Sequence, residues 1–161
     1  MKTRMALAIF MLFSVAAVAE SSQDAFNKLK SLEGSWSGKT SEGQPVEVTY
    51  QVTSGGSAVM SEIKGHGEDM ITMFHMDGDR LLMTHYCGAG NQPRMAATAS
   101  NDGKSITFNY IDATNLLPSQ PGHMEQHIVK FTDANHYTEV WEFAANNGSK
   151  KQEVFDLQRV K

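Results

Sequence analysis

From residue 45 onward the chain alternates between apolar and polar positions. Val46, Val48, Tyr50 and Val52 are apolar, and Glu47, Thr49 and Gln51 between them are polar. A period of two places one set on each face of a pleated strand. The same alternation recurs along the chain, with turn residues interrupting it roughly every ten positions. It predicts strands near 35–40, 45–53, 57–64, 69–76, 80–87, 93–100, 104–111, 122–131, 136–144 and 151–160. One segment has a different period. Phe26, Leu29 and Leu32 recur every three residues, the stripe of a short amphipathic helix. Ser21 or Ser22 can cap that helix, and Gly34 can end it. No second helical pattern of useful length exists, which excludes parallel βαβ units. The expected fold is all-β: an antiparallel up-and-down barrel of about ten strands, preceded by one short N-terminal helix.

Turn chemistry sharpens the register. Asp77-Gly78, Asp102-Gly103 and Asn147-Gly148 tolerate the positive φ that tight hairpins need. A two-residue turn at Asp102-Gly103 pairs Ala99 with Ile106, Ala97 with Phe108, and Met95 with Tyr110, all on one face. Small residues opposite large ones suit a tapered interior. A turn at Asp77-Gly78 pairs Phe74 with Leu81, Thr72 with Met83, and Met70 with His85. An odd-length loop near Thr132–Asn135 pairs Phe131 with Tyr137, Val129 with Glu139, and His127 with Trp141. That register puts His127, Glu139 and Trp141 inside.

The first nineteen residues follow another logic. Lys2 and Arg4 precede an apolar run from Met5 to Val15, and Ala17-Val18-Ala19 is an A-x-A cleavage site. The run is too short to span a bilayer core, which needs about twenty residues. The reading is a cleaved signal peptide over 1–19 and one barrel domain over 20–161, exported to a periplasm or secreted. Loss of Lys2 and Arg4 leaves eighteen acidic against twelve basic residues. That balance argues against nucleic acid as a partner, which needs a basic face. Cys87 is the only cysteine, so no disulfide forms within the chain.

Leu32-Glu33-Gly34-Ser35-Trp36 follows the helix and opens the first strand. With the meander after it, this resembles the lipocalin-like (calycin) superfamily, whose G-x-W pair closes the barrel bottom. Gly55 to Val59, Asp77 to Leu81, Thr84 to Cys87 and Asn91 to Met95 resemble bacterial exported lipocalin-like domains of unassigned function. The resemblance implies a barrel with an internal cavity and leaves the ligand open. The Leu-x-Gly-x-Trp opening is also similar to heme-binding barrels of the nitrobindin kind. Their glycine-rich continuation toward a Tyr-Pro pair is replaced here by Lys39 to Gln44. On that reading His85 and His127 are the heme ligands to test.

Chemistry-bearing residues gather in three places. Thr84-His85-Tyr86-Cys87 and Asn91-Gln92-Pro93-Arg94 flank one strand connection and belong to a barrel rim. His85 and Cys87 share a face, which either enters the cavity or serves the loop backbone. Arg94 is a possible anion clamp, facing outward unless a bulge at Pro93 turns it. His123, Glu125 and His127 at two-residue spacing offer one strand face to a metal, or else a solvated face. Met70, Met73 and Met76 with His75 suggest soft thioether ligands for Cu(I), but three-residue spacing on a strand puts Met73 on the far face. No nucleophile elbow, phosphate loop, dinucleotide fingerprint or H-E-x-x-H occurs, so the reading leans away from an enzyme.

The leading expectation is an exported barrel holding a small apolar or amphipathic molecule. Its binding residues would be His85, Tyr86, Cys87, Asn91, Arg94, Met95, Phe108, Tyr110, His127, Glu139 and Trp141. One alternative is a heme- or metal-binding barrel or enzyme using His85, His127 and Glu139. The other is a ligand-free interaction module using Leu116 and Leu117 of the 112–122 loop, which otherwise would fold over the barrel end as a plug.

Overall fold

The computed structural model describes residues 21–65, 67 and 69–161. The signal-peptide reading falls on residues outside these. Helix α1 (Ser22–Ser31) leads into ten strands. They are β1 (Gly34–Thr40), β2 (Pro45–Thr53), β3 (Ala58–Lys64), β4 (Met70–Asp77), β5 (Arg80–Tyr86), β6 (Gln92–Ala99), β7 (Ser105–Thr114), β8 (His123–Asp133), β9 (His136–Ala144) and β10 (Lys150–Arg159). Each strand pairs antiparallel with its sequence neighbours, and β1 pairs with β10 to close the barrel. Closure needs β1 and β10 to approach tightly at Gly38, where an added Cβ would lie 1.8 Å from the Asp156 carbonyl oxygen. The absent side chain at position 38 lets the ladder zip.

Helix α1 packs across the ends of β2, β4, β5 and β6 and closes one end. Ser21 caps it by accepting from the Asp24 N–H, and Ala25, Phe26 and Leu29 are buried beneath it. The tryptophan of the G-x-W pair, Trp36, is buried there and donates its indole N–H to the Leu32 carbonyl at 2.7 Å. Arg159 lies over the Trp36 ring at 4.2 Å and donates to the Ser31 and Glu33 carbonyls at the end of the helix. The β1–β2, β3–β4, β5–β6, β7–β8 and β9–β10 links gather at the opposite end, which is the mouth.

Alternation sets the interior. Val46, Val48, Tyr50, Val59, Ile63, Phe74, Met83, Met95, Phe108 and Val129 are all buried. The pairs Ala99–Ile106, Ala97–Phe108 and Met95–Tyr110 form as the pattern predicts. The turn that makes them is wider: Ser100 N–H bonds to the Ser105 carbonyl, and the Ser100 hydroxyl accepts from Lys104 and Ser105. A two-residue and a four-residue turn share the same midpoint, so the pairing is unchanged.

The β4–β5 hairpin corrects the sequence reading. Asp77 pairs with Arg80, so the turn residues are Gly78 and Asp79, and Phe74 meets Met83 while Thr72 meets His85. Gly78 takes the positive φ at 61°. The slip of two leaves each side chain on its expected face but changes His85's partner. Tyr110 is a second correction. Beyond Asn109–Gln126 the β7–β8 ladder opens, and Tyr110 lies half-exposed against the His123 ring instead of in the interior.

Candidate functional site

The barrel interior has two levels. The lower level is packed solid around Glu139, which is fully buried. Its Oε1 accepts from the Tyr50 hydroxyl at 2.8 Å and from the Tyr137 hydroxyl at 3.1 Å. Its Oε2 accepts from the Trp141 indole N–H at 2.8 Å and lies 3.4 Å from His127 Nε2. A buried carboxylate is costly unless such donors satisfy it. Burial pushes the Glu139 carboxyl upward, but His127 and the Tyr50 and Trp141 donors outweigh it and hold it below its ordinary value. Burial and the Glu139 charge push both tyrosines well above their ordinary value, so they stay protonated as donors.

The two histidines sit above this carboxylate. The His127 ring stacks on Trp141 with centroids 3.8 Å apart and lies parallel to Phe108 at 5.8 Å. Neither of its nitrogens is aligned for a hydrogen bond. His85 is fully buried, bonds through Nδ1 to the Thr72 hydroxyl at 2.8 Å, and packs 4.7 Å from Trp141. Burial and then the neighbouring His127 push His85 down to about 3, so the ring is neutral at ordinary pH.

The upper level is a cavity of about 420 Å³ at the mouth. Its walls are Ile63, Met70, Met124, Trp141, Phe143 and Phe155, with Cys87 and Glu153 as polar members. Trp141 is the shared element, bonded downward to Glu139 and bordering the cavity. Two irregularities build this wall. The β8–β9 register shifts between Met124 and Gln126, which brings Met124 opposite Phe143. The β9–β10 turn places Glu153 opposite Trp141, so the carboxylate shares the inward face with Phe155 two residues on.

The expected binding residues divide accordingly. Cys87 and Trp141 border the cavity. His85, His127 and Glu139 come together beneath Trp141, and Met95 and Phe108 are packed core. Asn91 is buried at the mouth, where its amide donates to the Gly122 carbonyl at 2.8 Å and ties two links together. Three residues leave the site. Tyr86 is 50 % exposed on the outer face. Arg94 faces out and forks onto the Asp112 carboxylate, with a register shift between Arg94 and Met95. Tyr110 stands at the rim.

The bulge also dismantles the His123–Glu125–His127 face. His123 bonds to the Pro121 carbonyl, Glu125 pairs with Lys150 at 3.0 Å, and His127 alone points inward. Among the described residues no group of three or more His, Cys, Asp and Glu side chains is arranged to hold a metal ion. Leu117 does not plug the mouth, being 49 % exposed on a turn closed by its bridge to Gln120, whereas Leu116 is half-buried.

Sequence reasoning missed Tyr50 and Tyr137 as partners of Glu139, and Met70, Met124, Phe143 and Glu153 as cavity walls. Alternation along β2 puts Tyr50 on the inner face, and inward parity from Trp141 marks Phe143.

No family model matches the chain, and no curated protein does. Among solved structures it is similar to Rv2717c from M. tuberculosis, with 15 % identity over 85 % of this chain and 98 % of that one, at a TM-score of 0.58. It is also similar to a Nostoc punctiforme protein with unknown function from the DUF3598 family, with 9 % identity over 82 % of this chain and a TM-score of 0.57. The chain spans about half of that protein's length, 48 %. The likeness is one of fold. It shows the ten-stranded barrel and leaves the site to be read from its own geometry.

Proposed function

We propose that this protein is a lipocalin-like binding protein that holds a small, largely apolar molecule at its mouth. The observation that carries the reading is the cavity of about 420 Å³ walled by Ile63, Met70, Met124, Trp141, Phe143 and Phe155. Small-molecule sites are concave, mainly apolar and marked by a few polar groups. The lower barrel is filled by its own side chains, so the ligand sits above Trp141 and does not reach the barrel floor. The heme and metal alternative draws less support. His85 and His127 lie behind Trp141, and neither lines the cavity.

The test is uptake of the neutral fluorescent dye Nile red. The expected result is saturable binding at one site, lost in Met124→Trp, which fills the cavity while the fold is kept. Equal dye binding by Met124→Trp, or none by the wild type, refutes the reading. Export belongs to the same proposal and rests on residues 1–19. N-terminal sequencing of the protein from its native host is expected to begin at Glu20.

A further inference from the structure

We propose that the molecule seated at the mouth is a non-ionic amphiphile, an apolar chain carrying an uncharged, hydroxyl-rich head, with the head lodged in a second recess beside the cavity. This rests on the cavity being a binding site, as proposed above. The recess is an open hollow of about 520 Å³. It is bordered by Gln120, Gly122, Asn146 and Asn147, and it shares Ala89 and Phe143 with the apolar cavity. One molecule can therefore reach from one space into the other past the Phe143 ring.

The recess is held together by its own hydrogen bonds. Gln120 and Gly122 come from the β7–β8 link, and Asn146 and Asn147 from the β9–β10 link. The Gly122 N–H donates to Asn146 Oδ1 at 2.7 Å, and its carbonyl accepts from the Asn91 amide at 2.8 Å. Position 122 has no room for a side chain: an added Cβ would lie 2.8 Å from Asn146 Oδ1 and 2.9 Å from Phe143 Cζ. Asn147 Oδ1 accepts from the Ser149 N–H at 3.0 Å and from the Ser149 hydroxyl at 2.7 Å. These bonds engage the oxygens of both asparagines and leave their NH2 groups as donors. Directly behind Gly122, the buried Asn91 Oδ1 is an acceptor with no partner among the described residues.

Charge decides the class of head. Among the described residues no charged side chain borders the recess. The one carboxylate on the cavity wall, Glu153, is already coupled to Lys151. Lys151 also reaches Glu42 at 2.8 Å, and Lys150 bridges Glu125 and Glu142, each at 3.0 Å. A cation finds no spare countercharge here, and an anion finds no spare lysine. Taking either out of water without a partner is costly. Hydroxyl groups both donate and accept, so they match a rim of amides, and the apolar chain matches the cavity next to it.

Five ligands with the same apolar chain separate the possibilities: octyl glucoside, octanoylglycerol, octanol, octyltrimethylammonium and octanoate. Each is used below its micelle-forming concentration to displace Nile red from the full chain. At least one of the two neutral-headed ligands is expected to be about fivefold more potent than octanol, and both charged ones weaker than octanol. Which of the two leads distinguishes a sugar head from a glycerol head. The double variant Gln120→Ala, Asn147→Ser keeps a side-chain oxygen for the Ser149 N–H. It is expected to erase the advantage over octanol while Nile red and octanol bind as in the wild type.

Octanol equal to or better than both neutral-headed ligands overturns the proposal, and that comparison needs no variant. So does a charged ligand that matches the best neutral-headed one, or an advantage that the double variant leaves intact. In those cases displacement by octanol leaves the binding reading standing. No dye binding by the wild type overturns both.

Discussion

The two ends of this barrel handle polar groups in opposite ways. At the helix end each polar anchor has a near partner. Trp36 bonds to the Leu32 carbonyl, Arg159 to three main-chain carbonyls, at Ser31, Glu33 and Ala134, and Lys28 to the Gly103 carbonyl. At the mouth end satisfaction is incomplete. Among the described residues the buried Asn91 Oδ1 has no hydrogen-bond partner, nor do His85 Nε2 and the His127 nitrogens just beneath Trp141, and the apolar walls above Trp141 enclose space in place of side chains. Buried polar groups are nearly always paired in native proteins, so clustered exceptions mark places where something other than stability set the sequence. The helix end and the Glu139 carboxylate hold the fold, and the mouth is where the proposed ligand would sit.

Substitutions test that contrast, and ring closure is the most sensitive point. Gly38→Val drives a side chain into the Asp156 carbonyl, so a loss of about 4 kcal/mol or more is expected, seen as a protein that is unfolded or melts far below the wild type. Glu139→Ala comes next. It strands two phenol hydroxyls and an indole N–H in the core, with an expected cost of about 3 kcal/mol by urea unfolding. Arg159→Met removes three hydrogen bonds and the contact with Trp36, for a loss of about 2 kcal/mol by the same measurement. At the mouth, Phe143→Ala is expected to cost about 1 kcal/mol, because the ring is only half-buried, yet to abolish dye uptake. A Phe143→Ala variant as unstable as Glu139→Ala would erase the division between the two regions.

Acid sharpens the contrast from inside. His85 falls from its ordinary 6.5 to about 3 in the folded protein. Between those values the unfolded chain binds the proton and the folded chain does not. Stability is therefore full above about 6.5 and declines as pH falls toward about 3. Glu139, held below its ordinary 4.5, adds a second loss at the acid end of the same window. Urea unfolding as a function of pH is expected to show this slope, and His85→Gln is expected to flatten its upper part. An unchanged slope in His85→Gln would mean that the histidine does not drive it.

Much of the fold was legible because alternation is a property of neighbouring residues. Val46, Val48 and Tyr50, the Ala97–Phe108 pair and the His127–Trp141 pair follow from a period of two and a turn. The site was harder, because it depends on where the period breaks. Asn147-Gly148 reads as a two-residue turn, which would place Val154 beside Trp141. The connection Asn146–Gly148 has three residues, with Ala145 N–H bonded to the Ser149 carbonyl, and this swings Glu153 inward instead. The bulge between Met124 and Gln126 does the same for Met124 and undoes the His-Glu-His face. A single inserted residue flips every side chain beyond it. His85 gained Thr72 as its partner through a turn displaced by one residue, a choice between Asp77-Gly78 and Gly78-Asp79 that composition does not decide.

The β1–β10 seam has a consequence for assembly. Trp36 pairs with Arg159 and Thr40 with Phe155, so the ring joins strands far apart in sequence. Nine of the ten hairpin-like neighbours can meet as soon as they leave the ribosome, but the final joint has no partner until Leu157 has been synthesised. Until then both outer strands present bare backbone to other chains. Such a distant joint is slow to find. The order of events follows from this geometry: the cup takes shape first, and only β10 turns a curled sheet into a vessel.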